Sequence, residues 1–125
     1  MPGNLASTRS AYQRSAVLTA SREQLVVMLY DGAHRFLAQA SIAMRERDVD
    51  TSHRKLRRAE AIINHLRATL NKEEGGEIAQ RLERIYLFCT RHLNEARVKR
   101  DPERIEEVDS LLLELREAWA QAARA

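Results

Sequence analysis

The 125 residues carry a formal net charge of +3, are 44% hydrophobic and 31% charged, and so describe one domain with a single modest core rather than a disordered chain. Only 4 Gly and 2 Pro stand against many Ala, Leu, Arg and Glu, which excludes a sheet-rich chain and points to one that is almost all helix. With one cysteine, Cys89, no apolar run near the roughly 18 residues of a membrane span, and no apolar block of a signal peptide at its start, the chain is expected to be cytoplasmic, free of disulfides and without a membrane partner.

Residues 1–18 are basic and rich in Ser and Ala, with Arg9 and Arg14 and no acid. They also hold Tyr12, Val17 and Leu18, enough apolar surface to dock reversibly and too little to fold alone. The segment is therefore expected to be a mobile cap, and residues 19–125 a single bundle domain. Ser21 followed by Gln24 has capping-box spacing and opens a helix running to about Arg47. On it Leu25, Met28, Leu29, Gly32, Ala33, Phe36, Leu37, Ala40 and Met44 span roughly 160° of the circumference; Tyr30 widens the arc to about 200°, and Val27 and Ile42 fall outside it. That is more than one side of a bundle core requires. Gly32 in a helix interior, at a cost of about 1 kcal/mol relative to Ala, is best read as a close helix crossing.

A second helix is expected from Asp48 or Asp50 to Asn71, with Leu56, Ala59, Ile62, Ile63, Leu66 and Leu70 on a stripe of about 120°. Asn71 and Gly75-Gly76 read as its stop and turn. A third, from about Glu77, would bury Ile78, Leu82, Ile85, Cys89, Leu93 and Ala96, leaving Leu87 and Val98 on the opposite side. The fourth has the clearest start: Asp101 as N-cap, Pro102 at the first helical position and Glu103 beside the positive helix end. Its stripe is Ile105, Val108, Leu111, Leu112, Leu115 and Trp119, the last a plug for the bundle end. Four such helices with short connections predict an all-α, antiparallel, up-down-up-down four-helix bundle with a mobile N-terminal segment.

Nothing points to an enzyme. Phosphate loops, nucleophile elbows and dinucleotide fingerprints are missing from the sequence. Di-metal bundles need Glu-x-x-His pairs facing inward; the nearest match, Asp31-x-x-His34, falls on the polar side of its helix, so neither metal nor cofactor is expected. Cys89 lies on the core stripe and reads as structural. The basic charge is dispersed: residues 45–58 hold six bases against Glu46, Asp48 and Asp50, while residues 101–125 have a local balance of −4. This suits helices of opposite bias side by side, and six aromatics leave no stacking platform, so no nucleic acid is expected. Large exposed apolar patches mark interaction sites. The candidate partner-binding residues are accordingly Tyr12, Val17 and Leu18 in the N-terminal segment, Val27 and Tyr30 on the first bundle helix, and Leu87 on the third.

Several blocks, in order, carry a family resemblance: Tyr12-Gln13, Thr19-Ala20-Ser21, Leu25 to Gly32 with its Leu-Tyr-Asp-Gly ending, Ala59 with Ile62, Ile63 and Leu66, Gly75-Gly76-Glu77-Ile78-Ala79, Glu107-Val108, Leu111-Leu112, Leu115-Arg116 and Ala118-Trp119. Together they resemble the FliS-type flagellar export chaperones over nearly the whole chain, departing at Arg22, where that family commonly has proline. The resemblance implies a small cytoplasmic four-helix bundle that binds the disordered C-terminal segment of flagellin, prevents premature polymerisation and aids delivery to the export apparatus. It also implies that the segment around Tyr12 lies over the binding surface and moves aside. An export-gate protein or another flagellar regulator is a further expected partner, and the chain itself is expected as a monomer or weak homodimer. The competing readings are a generic helical adaptor, a homodimeric interaction protein, a metal-binding bundle and a basic RNA-binding bundle.

Overall fold

In the computed structural model, which describes residues 5–125, five helices follow one another: α1 (Leu5–Thr19), α2 (Arg22–Arg45), α3 (Val49–Ala68), α4 (Lys72–Lys99) and α5 (Pro102–Arg124). Local chemistry sets each start. At α2 the Ser21 hydroxyl accepts the Gln24 amide at 3.1 Å while Gln24 Oε1 accepts the Ser21 amide at 2.8 Å, a complete capping box. Asp48, Asn71 and Asp101 cap α3, α4 and α5 through the amides of Thr51, Glu74 and Glu103. Short turns between helices of this length force antiparallel neighbours, so α2 to α5 form the expected up-down-up-down bundle.

The packing is uneven. α2 lies tightly against both α3 and α5, whereas α4, diagonally opposite, packs less extensively on the same two helices. Small residues permit the close approach: Gly32, Ala33, Ala40 and Ala43 of α2 are buried, and a Cβ on Gly32 would stand 3.3 Å from Ile62 Cδ1 of α3. Gly32 is thus at a helix crossing, as expected. The core is completed by Leu37, Leu56, Ile63, Tyr86, Cys89, Leu93, Ile105, Val108 and Leu112.

Four features differ from expectation. The wide apolar face of α2 is largely taken up by packing against both α3 and α5, while Leu25 and Met28 in its first turns stay exposed. Tyr30, expected to face a partner, is 1% exposed and belongs to the core. Asn71 starts α4 instead of ending α3, and Gly75-Gly76 lies inside α4. There Gly76, at φ 52° and ψ −127°, kinks the helix in a conformation that side chains resist. Ile78, just past that kink, is 70% exposed and outside the core. Lastly, the expected loose segment, from residue 5 to residue 18, is helical as part of α1, which makes no extensive packing with any bundle helix. Alanine, arginine, glutamine and leucine favour helix locally without an apolar stripe to dock it.

Two turns share one bundle end and one design. Asp48 N–H bonds Ala43 O at 2.8 Å, and Asp101 N–H bonds Ala96 O at 3.0 Å. Each closes over an arginine in left-handed conformation, Arg47 at φ 62° and Arg100 at φ 53°. This geometry favours glycine, and a side chain there costs about 1 kcal/mol or more.

Candidate functional site

Polar pairs seal most of the bundle's seams. Along α2 and α5, Asp31 pairs with Arg116 at 2.6 Å, His34 with Asp109 at 2.7 Å, and Arg45 with Glu106 at 2.7 Å, where Glu106 also accepts the Ser41 hydroxyl. Asp31 and His34 are therefore spent on α5 and do not form a metal pair; among the described residues no group of three potential ligands converges. Across α3 and α4, Arg97 bonds Glu60 at 2.5 Å and Arg67 pairs with Glu83 at 3.6 Å, while Lys72, also on α4, bonds Glu83 at 3.0 Å from the other side of the Gly76 kink. α4 and α5 are tied by His92–Glu107 and Arg104–Glu95, both at 2.6 Å.

The apolar opening lies at the end where α1 joins α2. There a cleft of about 270 Å³ is lined by Val26 from α2, Leu66 and Leu70 from the end of α3, Ile78 and Leu82 from α4, and Trp119 from α5. Three local causes meet here. The Ser21 cap starts α2 beside it, the Asn71 cap turns the chain from α3 to α4, and the Gly76 kink carries the first turn of α4 aside and leaves Ile78 on the rim. Tyr86 forms part of the wall, and its hydroxyl meets that of Tyr30 at 2.5 Å. Burial, with Tyr86 alongside, raises the Tyr30 phenol well above its usual range, and burial raises Tyr86 as well. The two phenols remain neutral and give the cleft a rigid back wall.

The candidate residues divide. Tyr12, Val17 and Leu18 lie on α1 and are exposed, Tyr12 by 76% and Leu18 by 84%. Leu87 is on α4 at the edge of exposure, and Val27 on α2 is half-buried. Tyr30 is a core residue whose hydroxyl is satisfied internally, so it offers a docking partner nothing. The structure does not bring the α1 side chains onto the cleft. It does place the α1–α2 junction next to it, since Arg22 and Val26 line the opening. Leu70, Ile78 and Leu82 were not expected as a surface because each matches a core stripe, and Val26 was assigned to no face. Gly75-Gly76 was the available signal: a glycine pair is equally consistent with a kink that uncovers its neighbours.

The cleft holds apolar walls with a few polar groups, Arg22, Thr69, Asn71 and Glu74, and the Thr69 hydroxyl is engaged by the carbonyls of His65 and Leu66. Cys89 is fully buried, and burial pushes its thiol up to about 12, so it is inert at neutral pH. Such a surface can take the apolar side of an extended or helical peptide.

Comparison with known proteins gives one consistent family. The family model described as "Flagellar protein FliS" matches residues 5–125. The chain is similar to the flagellar secretion chaperone FliS of Salmonella typhimurium, 43% identical over 108 residues that cover 86% of this chain and 80% of that protein. It resembles the protein of the same name from Vibrio cholerae at 32% identity over 121 residues, 97% of this chain and 89% of that one. The flagellar secretion chaperone FliSB of Pseudomonas aeruginosa is 35% identical over 103 residues, 82% of either chain. A crystal structure of a bacterial flagellar chaperone superposes with a TM-score of 0.77, covering 94% of this chain and 98% of that one; at 16% identity it supports the fold alone.

Proposed function

This chain belongs to the FliS family of flagellar proteins, and on that premise we propose that it is a flagellar secretion chaperone whose client is the disordered C-terminal segment of flagellin. The supporting observation is the open apolar cleft beside an undocked, apolar-bearing helix α1. The client's apolar side chains enter between Val26, Leu70, Ile78 and Trp119, and the segment continues along the bundle past Val27 and Leu87. Tyr12, Val17 and Leu18 on the undocked α1 compete with the client for the same surface by folding back over it. Occupancy lowers the concentration of polymerisable flagellin by mass action, without covalent chemistry or ATP. The work is done in the cytoplasm, before export, by a monomer or weak homodimer, with handover to an export-gate protein or another flagellar regulator.

Trp119 is the only tryptophan and lines the cleft, so its emission reports occupancy directly. Titrating the chain with a tryptophan-free C-terminal segment of its own organism's flagellin should shift that emission saturably at one-to-one stoichiometry. The chain should likewise keep full-length flagellin from assembling while it is bound. An unchanged emission together with unhindered assembly would remove flagellin as the client.

A further inference from the structure

The opposite end of the bundle carries a second and chemically different recess. A cavity of about 660 Å³ opens between the α2–α3 and α4–α5 turns, with Met44 and Leu56 on its apolar floor and Arg45, Arg47, Arg97 and Arg100 around it. Two of these guanidiniums are committed, Arg45 to Glu106 and Arg97 to Glu60. The Nε of Arg97 is nevertheless buried without an acceptor. Arg47 and Arg100 have no side-chain partner among the described residues. The acids that follow them cannot neutralise them, because Asp48 and Asp101 are engaged as helix caps, the latter also by Arg104.

Arg47 and Arg100 also occupy the two left-handed turn positions, where glycine would be the more stable choice. Their cationic side chains therefore stand on the cavity rim at a conformational penalty that the fold does not recover through any ion pair. Guanidinium groups present paired N–H donors matched to carboxylates, and an apolar floor beneath them suits a neighbouring apolar side chain. We propose that this cavity is a second docking site, for an acidic segment of a partner protein whose carboxylates engage Arg47 and Arg100 while an apolar side chain rests over Leu56. It is separate from the apolar cleft at the α1 end, so the two surfaces can be occupied together.

The test uses the full chain and a fluorescein-labelled twelve-residue peptide of Glu and Leu, with a control peptide carrying Gln for every Glu. Arg47→Gly/Arg100→Gly fits both backbones, so this variant should melt no lower than the parent. A charge-matched control, Arg81→Gln/Arg84→Gln, removes two exposed arginines of α4 away from the cavity. The Glu peptide should bind the parent and the control variant alike. It should lose at least about tenfold in affinity on the glycine variant, as expected for two charge-assisted contacts. The loss should shrink as salt is raised from about 0.05 M to about 0.5 M. Equal weakening in both variants, equal binding of the Gln peptide, or no binding to the parent would each overturn the proposal. So would displacement of the peptide by inorganic phosphate or a single-stranded oligonucleotide at concentrations below the peptide's own Kd, since the cavity would then be a phosphate site.

Discussion

Replacing Tyr30 with Phe tests whether the paired phenols are structural. Both rings are 1% exposed and their hydroxyls are 2.5 Å apart, so each hydroxyl supplies the other's partner. Removing the Tyr30 oxygen deletes a hydrogen bond and strands the Tyr86 hydroxyl in the core, and each of those effects is about 1 kcal/mol or more. The expected loss is therefore about 2 kcal/mol, which for a domain of this length lowers Tm by roughly 8 °C. In Tyr30→Phe/Tyr86→Phe no Tyr86 hydroxyl is left stranded, so the double variant should lose little more than either single one, a coupling of roughly 1–2 kcal/mol. Thermal unfolding followed by circular dichroism, with urea titrations for the free energies, measures the cycle. Strictly additive losses, or a Tyr30→Phe variant as stable as the parent, would refute the pairing. A Tyr30→Phe variant that is fully stable yet fails to bind client would restore Tyr30 to the partner surface.

The remaining predictions concern the kink, the core's titration and the cap. Gly76→Ala forces a side chain into φ 52°, ψ −127°, and should cost about 1–3 kcal/mol by urea denaturation while disturbing the cleft below it; an unchanged midpoint would show that the kink is relaxed. Tyr30, Tyr86 and Cys89 all have raised values in the fold, so they stabilise it fully below their ordinary ranges and that stability is lost as pH rises. Tm should accordingly fall between about pH 9 and about pH 12, with Cys89 unreactive toward a thiol reagent at pH 8 until the chain unfolds; rapid native-state labelling would contradict its burial. Tyr12→Ala should leave Tm within about 1 °C, because the side chain is 76% exposed, while altering the affinity or the rate of client binding; a large stability loss would place Tyr12 in the fold.

Helix starts were legible because they are local. The Ser21–Gln24 box, Asp48 and Asp101-Pro102 each act within four residues, and all three appear as read. Core stripes on α3 and α5 were legible for the same reason, since one apolar face met one core. Tyr30 was misplaced because an angular count fixes the buried arc at a set width, while α2, unlike the other bundle helices, packs closely along both of its neighbours. Ile78 was misplaced because a helix starting at Glu77 was expected to be buried from its first turn, whereas the residues just past the Gly76 kink leave Ile78 exposed. The cleft itself depends on how the ends of α2, α3, α4 and α5 meet, a long-range relation that no periodicity encodes.

Isothermal titration of the full chain with the C-terminal segment of its own organism's flagellin, at two temperatures, tests the central claim most directly. The account predicts saturable one-to-one binding with a negative heat-capacity change, as apolar surface is buried and the segment orders on the bundle. Absence of heat at both temperatures, together with failure of the two chains to co-elute, would contradict it.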